Sequence, residues 1–239
     1  MTIQEYLASL QGKTAAVLGI GVSNTPLIEL LCRNGVQVIA CDKKSREDLG
    51  ERAEQLEALG AHLQLGEGYL DDLRADVVFR TPGLRPDVPA LLEAKARGSV
   101  VTSEMEIFFE VCPCTIIGVT GSDGKTTTST ITAELLRAQG YTVHLGGNIG
   151  TPLFDRIADI RPDDFAVLEL SSFQLHSMHC APDVAIITNI SPNHLDVHPD
   201  LEDYVSAKCS IYRGQRTDGC LVLNAKDAHT PRFAAEAPG

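Results

Sequence analysis

The chain has 239 residues, 44% apolar and 22% charged, an ordinary globular composition long enough for one large domain or two modest ones. Twenty Lys and Arg against 32 Asp and Glu give a formal charge of −12, which argues against a nucleic-acid or anionic-membrane surface but leaves room for local cationic phosphate sites. No apolar run approaches the roughly 18 residues of a membrane span, and Met1-Thr2-Ile3-Gln4-Glu5 lacks the layout of a secretory signal.

The elements alternate from the start. Ala15 to Gly19 reads as a strand, Pro26 to Asn34 as a helix stopped by Gly35, and Val36 to Cys41 as a second strand. Arg46 to Leu59 is a helix stopped by Gly60. Asp76 to Phe79 is a strand, Pro82-Gly83 a turn, and Pro86 to Arg97 a helix stopped by Gly98. Ser103 to Glu110 is a further helix, after which the pattern restarts. Thr115 to Thr120 is a buried-type strand, followed by a glycine-rich turn and a helix from Lys125 to Gln139. Phe165 to Leu170 and Val184 to Thr188 are strands, Leu201 to Tyr212 a helix, and Cys220 to Leu223 a last strand before a weakly patterned tail. Strand–helix alternation of this kind predicts parallel α/β architecture, with residues 1–111 forming a Rossmann-like domain and 112–239 a P-loop-type α/β domain. With about four clear strands, the second domain is expected to stop short.

The strongest chemical signal is Gly121-Ser122-Asp123-Gly124-Lys125-Thr126-Thr127, between a strand and a helix. Backbone N–H groups at a helix N-terminus cradle phosphate oxygens, Lys125 adds a charge, and the Thr126 hydroxyl suits a phosphate-bound Mg²⁺. Val119 stands where GxxxxGK needs its first glycine, so the loop is a shorter variant, GxxGKT. Gly19-Ile20-Gly21-Val22-Ser23-Asn24 is a broken GxGxxG, and Asp42 ends the next strand at a spacing that suits a ribose or base contact. This predicts a nucleotide-diphosphate pocket; Asn24 argues against a nicotinamide cofactor.

Glu169 lies inside an apolar strand, where a carboxylate is costly unless paired or metal-bound, which predicts a Mg²⁺ ligand. His194-Leu195-Asp196-Val197-His198 suggests zinc, but the spacing supplies no convincing remaining ligands. His194 is therefore taken as the functional histidine, and His176, His179 and His198 as surface or packing residues. Lys208 shares a helix face with Leu201, Tyr204, Val205, Ile211 and Tyr212, and either snorkels or enters a site as a partly neutral amine. The seven cysteines include no CxxC pair; Cys112-Pro113-Cys114 is read as structural, and the thiols as reduced and cytosolic.

Taken together, Gly121 to Thr128, Gly146-Gly147-Asn148-Ile149-Gly150-Thr151-Pro152, Leu168-Glu169-Leu170-Ser171-Ser172-Phe173-Gln174-Leu175, Thr188-Asn189-Ile190, His194-Leu195-Asp196 and Lys208 resemble the Mur ligase family. These are ATP-dependent, ADP-forming amide ligases of cytoplasmic peptidoglycan synthesis. Leu168 to Leu175 is most similar to the branch that joins D-glutamate to UDP-N-acetylmuramoyl-L-alanine. The resemblance implies ATP phosphates on Gly121 to Thr127, Lys125 on the transferred phosphate, and Mg²⁺ organised by Thr126, Glu169 and His194. It implies a carbamylated Lys208 holding a second Mg²⁺. It implies contacts from Asn148, Ser171 and Gln174 to the muramoyl-alanine moiety, from Val22 and Ser23 to the UDP phosphates, and from Asp42, Lys43, Thr81, Pro82 and Gly83 to uridine.

Asp123 replaces a common Asn. The resemblance implies a third, C-terminal domain beyond the two read here, so the expectation is a monomeric fragment that binds nucleotide but has little ligase activity alone. The competing readings are a sister ligase adding another amino acid and a non-catalytic nucleotide-binding module; Lys125, Glu169 and Lys208 are all present, which favours the enzyme.

Overall fold

A computed structural model of the chain describes residues 1–150, 152–193 and 197–238. They form two compact units, 1–107 and 108–239, each built on a five-stranded parallel sheet. The division falls within a helix, Glu104–Val111, which the sequence reading assigned to the first domain.

The first unit opens with α1 (Ile3–Ser9), set by a capping box in which Thr2 and Glu5 satisfy each other's backbone N–H groups. It continues β1 (Thr14–Leu18), α2 (Asn24–Arg33), β2 (Gln37–Asp42), α3 (Arg46–Leu49), α4 (Glu51–Ala58), β3 (His62–Leu65), β4 (Val77–Phe79), α5 (Pro89–Ala96), β5 (Val100–Thr102) and α6 (Glu104–Val111). The strand order is β3-β2-β1-β4-β5, so β1 is central and its residues 15–18 are fully buried. That burial on both faces is why β1 reads as a continuous apolar run rather than an alternating one. Leu27, Ile28 and Leu31 of α2 are inaccessible to solvent, each worth about 1.5–3 kcal/mol of apolar burial. The helix expected over 46–59 is broken at Gly50, whose φ of +54° interrupts it. The short strands β3 and β5 were not expected, because both lie at sheet edges and are half exposed.

The second unit runs β6 (Thr115–Thr120), α7 (Lys125–Ala138), β7 (Val143–Gly147), a 3₁₀ turn (Phe154–Asp159), β8 (Phe165–Glu169), α8 (Ser172–Leu175), β9 (Val184–Ile187), α9 (Leu201–Arg213), β10 (Cys220–Leu223) and α10 (Thr230–Glu236). Its sheet order is β10-β9-β6-β8-β7. The chain leaves β6 for the far edge, returns to β8 on one side of β6, then crosses to β9 on the other. The carboxyl ends of β8, β6 and β9 therefore meet at a topological switch point, where open α/β sheets bind ligands. Ile117, Ala133, Val143 and Val167 join α7 to the sheet beneath that edge. The sheet has five strands rather than four because β7, interrupted by His144 and two glycines, conceals its apolar pattern.

Gly147 and Gly140 both adopt φ +92°, but only Gly147 lies against β8, where a Cβ would overlap the Glu169 backbone. Gly140→Ala is expected to cost about 1 kcal/mol and Gly147→Ala about 2–4 kcal/mol in urea unfolding. Equal losses would show that the close approach to β8 carries no energetic weight.

Candidate nucleotide and metal site

Gly121 turns the chain out of β6 with φ +147°, and a Cβ there would overlap Thr188 Oγ1. Gly124, at φ +77°, caps α7 in the left-handed region. Between them the loop is clamped by the segment after β9. Ser122 N–H donates to Asn189 O at 2.9 Å and Asp123 N–H to Asn189 Oδ1 at 3.1 Å. Asn189 Nδ2 and Thr188 Oγ1 both donate to Asp123 O, at 2.9 and 2.7 Å. The Ser122 hydroxyl donates to Ser191 O and accepts from Ser191 N–H, and lies 3.0 Å from Tyr204 Oη.

Two lysines converge on this loop. Lys125 Nζ donates to Gly121 O at 3.0 Å and Ser122 O at 2.9 Å. Lys208 Nζ, from α9, donates to the same Gly121 O at 2.9 Å and lies 4.6 Å over the Tyr204 ring. Lys208 is 1% exposed and does not snorkel. Burial, with a smaller contribution from the Lys125 charge, lowers its amine from 10.5 to about 7.

Glu169 closes the other side. It is 2% exposed; Thr126 Oγ1 donates to Oε2 at 2.7 Å and Asn148 Nδ2 to Oε1 at 3.0 Å. Both donors are neutral. A carboxylate so buried and held in that way is suited to a cation, which supplies the charge compensation that the two hydrogen bonds leave incomplete. Hard oxygen donors of this kind suit Mg²⁺.

The remaining expectations are resolved unevenly. His194 lies outside the described residues. Ser171 and Gln174 form a capping box at the start of α8, with Gln174 Oε1 accepting from both Ser171 N–H and Oγ at 2.9 Å. In the first unit, Asp42 uses both carboxylate oxygens on backbone, accepting from Ile20 N–H at 2.6 Å and Lys44 N–H at 2.9 Å. Asn24, where GxGxxG has its third glycine, is buried and donates to Leu18 O and Gly19 O. Val22 is exposed and Ser23 makes no side-chain cap, leaving the α2 N-terminus open to an anion. Thr81, Pro82 and Gly83 follow β4 in a loop organised by Arg80. That buried residue, missed by the sequence reading, donates through Nη1 to the carbonyls of Thr81, Pro82 and Leu84.

His198 is a packing residue, as the sequence suggests. It is 2% exposed, with Nδ1 2.6 Å from Asp203 Oδ2 and Nε2 3.0 Å from Ser172 Oγ. Asp203 also takes His176 Nε2 at 3.2 Å, so these three residues bring metal-ligand atoms within 4.8 Å of one another. Buried Ser172 makes the Ser–His–Asp arrangement a brace rather than a nucleophile. Asp203 was invisible to motif spacing because it enters from α9.

The central strand, the glycine turn and the lysine at a helix start define the second unit as a P-loop-type α/β domain. Residues 119–239 match the Mur ligase middle domain, and the chain belongs to the Mur ligase family. It is 52% identical, over 99% of its length, to a UDP-N-acetylmuramoylalanine–D-glutamate ligase of Acetivibrio thermocellus, covering 51% of that protein. It is 51% identical, over 98% of its length, to the ligase of the same name from Clostridium perfringens, covering 52%. The chain thus spans about half the length of these curated relatives. Among solved structures, it is similar in fold to the UDP-N-acetylmuramate:L-alanyl-γ-D-glutamyl-meso-diaminopimelate ligase of Neisseria meningitides (TM-score 0.60, 22% identity, 94% of this chain and 75% of that one). It is likewise similar to the UDP-N-acetylmuramate-alanine ligase of Thermotoga maritima (TM-score 0.52, 23% identity, 92% and 51%).

The Lys208 amine yields a signed pH prediction. Its folded value of about 7 lies below the unfolded 10.5, so unfolding takes up a proton between them. Relative to Lys208→Met, wild-type stability in carbonate-free buffer should rise from pH 7 toward pH 10, with a slope approaching about 1.4 kcal/mol per pH unit. Below pH 7 both states are charged and the difference should be flat. Parallel curves for the two proteins across the whole range would show an ordinary solvated lysine.

Proposed function

We propose that this chain carries the uridine-nucleotide and ATP sites of an ATP-dependent amide ligase that adds D-glutamate to UDP-N-acetylmuramoyl-L-alanine. The observation that carries this reading is the buried Glu169 carboxylate, held by Thr126 at the mouth of a lysine-bearing phosphate loop. The 51–52% identity to two ligases of that name supplies the substrate. Residues 1–111 form the UDP-substrate domain and 112–239 the central ATP domain.

In this reading the N–H groups of Gly121 to Thr127 bind the ATP phosphates. Lys125, whose Nζ rests on loop carbonyls, turns to the γ-phosphate as a better acceptor. Thr126, Glu169 and His194 would hold Mg²⁺, which would supply charge neutralisation on the transferring phosphoryl group. An amine near 7 is substantially neutral at physiological pH, so Lys208 would add CO₂ with loss of one proton to water, and its carbamate would hold a second Mg²⁺. The terminal carboxylate of the muramoyl-alanine substrate attacks the γ-phosphorus, giving an acyl phosphate and ADP. The D-glutamate amine then attacks the acyl carbon, and phosphate leaves.

Asn148, Ser171 and Gln174 present the muramoyl-alanine end; the capping box fixes the last two in position. In the first unit, the N–H groups of Val22 and Ser23 receive the UDP diphosphate at the start of α2. Lys43 and the loop Thr81-Pro82-Gly83 receive uridine. Asp42 acts there through the backbone it holds. ATP and uridine nucleotides place the reaction in the cytoplasm. The reading needs one copy of the chain, and no helix among the described residues is long and apolar enough to cross a membrane.

Calorimetric titration of UDP-N-acetylmuramoyl-L-alanine, with UDP and NADH in parallel, tests the substrate assignment. Saturable binding of the muramoyl nucleotide is expected, about tenfold or more tighter than UDP. Binding of NADH alone would overturn the assignment of the first unit.

A further inference from the structure

The connection from α6 to β6 reads Cys112-Pro113-Cys114. Its two Sγ atoms lie 3.5 Å apart. Both thiols sit on anchored backbone. The Cys112 N–H donates to Phe108 O at 2.9 Å in the last turn of α6, and Cys114 directly precedes the first residue of β6. Pro113 fixes one φ between them, so little chain entropy separates the two sulfurs. Cys112 is half-buried and Cys114 is buried, with its thiol also 3.7 Å from Thr115 O. Cys112 is thus the outer residue of the pair and Cys114 the inner one.

We propose that Cys112 and Cys114 are a site of reversible thiol–disulfide modification, in which Cys112 reacts with a low-molecular-weight disulfide and Cys114 resolves the adduct. In the first step the Cys112 thiolate forms an S–S bond with one sulfur of the small disulfide and expels the other as a thiolate. In the second, the Cys114 thiol loses its proton to water. Its sulfur then forms the Cys112–Cys114 bond and expels the second small thiolate. Two protein thiols lose two electrons in total; the small disulfide gains them and takes up the two protons.

The difference in burial separates the two roles, and hydrogen bonding between the sulfurs points the same way. Hydrogen bonding between the two sulfurs holds the Cys112 thiol below its ordinary value, against the effect of burial. The same bond, followed by burial, pushes Cys114 well above. The thiolate therefore forms first on Cys112, the less buried residue of the pair. Once Cys112 is capped, the negative charge that retained the Cys114 proton is gone, and the inner thiol becomes free to attack. Cys32 is a built-in comparison: it is also half-buried, but burial and then Glu29 push its thiol up. The sequence reading treated the pair as structural, because one intervening residue spaces zinc ligands poorly. That spacing leaves redox chemistry open.

The test uses the whole chain, equilibrated in glutathione–glutathione disulfide buffers, quenched with acid, alkylated and mapped by mass spectrometry. The peptide containing both cysteines should lose two hydrogens at a lower disulfide ratio than any other cysteine is modified, and dithiothreitol should restore it. Cys114→Ser, checked for an unchanged circular dichroism spectrum, should leave Cys112 as a glutathione mixed disulfide about tenfold longer-lived than in the wild type. At neutral pH, iodoacetamide should alkylate Cys112 about tenfold faster than Cys32. Alkylation of both Cys112 and Cys114 at every ratio, absence of the mixed disulfide in Cys114→Ser, or Cys112 reacting no faster than Cys32 would each overturn the proposal. None of these readouts depends on nucleotide binding.

Discussion

Two ammonium groups, Lys125 and Lys208, donate to one carbonyl oxygen, that of Gly121. That shared acceptor is the constraint on which the second unit depends. Bringing two like charges to one atom inside the protein is unfavourable, and the amine of Lys208 falls to about 7, chiefly through burial and to a smaller extent through the Lys125 charge. The carbonyl is available because Gly121 adopts φ +147° against Thr188, a conformation closed to a side chain. β6 must therefore be followed directly by glycine, and β9 must lie beside it to supply the clamp from Thr188 to Ser191.

The same geometry makes α9 a beam rather than a covering helix. Tyr204 ties it to Ser122 of the phosphate loop, Lys208 to Gly121, and Asp203 through His198 to Ser172 beside the end of β8. The ends of β6 and β8 are thus held by one element, and Glu169 is presented to the loop through Thr126. A buried carboxylate and a partly neutral lysine are poor choices for stability alone. Their placement around one glycine turn is what favours a phosphate-handling site over a turn that only caps a helix.

Much of this was legible in the chain because burial leaves a compositional trace. A carboxylate within Leu168-Glu169-Leu170 and a lysine on the apolar face of α9 both contradict their surroundings, and both are buried against the glycine turn after β6 or the helix it opens. The edge strands β3 and β5 were illegible because half-exposed edges carry no apolar run, and β7 because Gly146 and Gly147 dilute it. Asp203 and Arg80 lie beyond motif reading for another reason. One reaches His198 only through the topology of α9, and the other serves a loop whose conformation is not encoded at its own position. Asp42 stands where a ribose carboxylate belongs, but its register turns both oxygens toward backbone N–H groups, a detail that spacing cannot resolve.

The central claim is that Glu169 and the phosphate loop act together on a metal-bound nucleotide. Its most direct measurement is the affinity for ATP with Mg²⁺ and with chelator, in the wild-type chain and in Glu169→Gln. The account predicts that Mg²⁺ strengthens wild-type binding at least about tenfold, and that Glu169→Gln removes that gain while leaving metal-free affinity within about threefold. An ATP affinity indifferent to Mg²⁺ in the wild type, or a Mg²⁺ gain of the same size in Glu169→Gln, would contradict it.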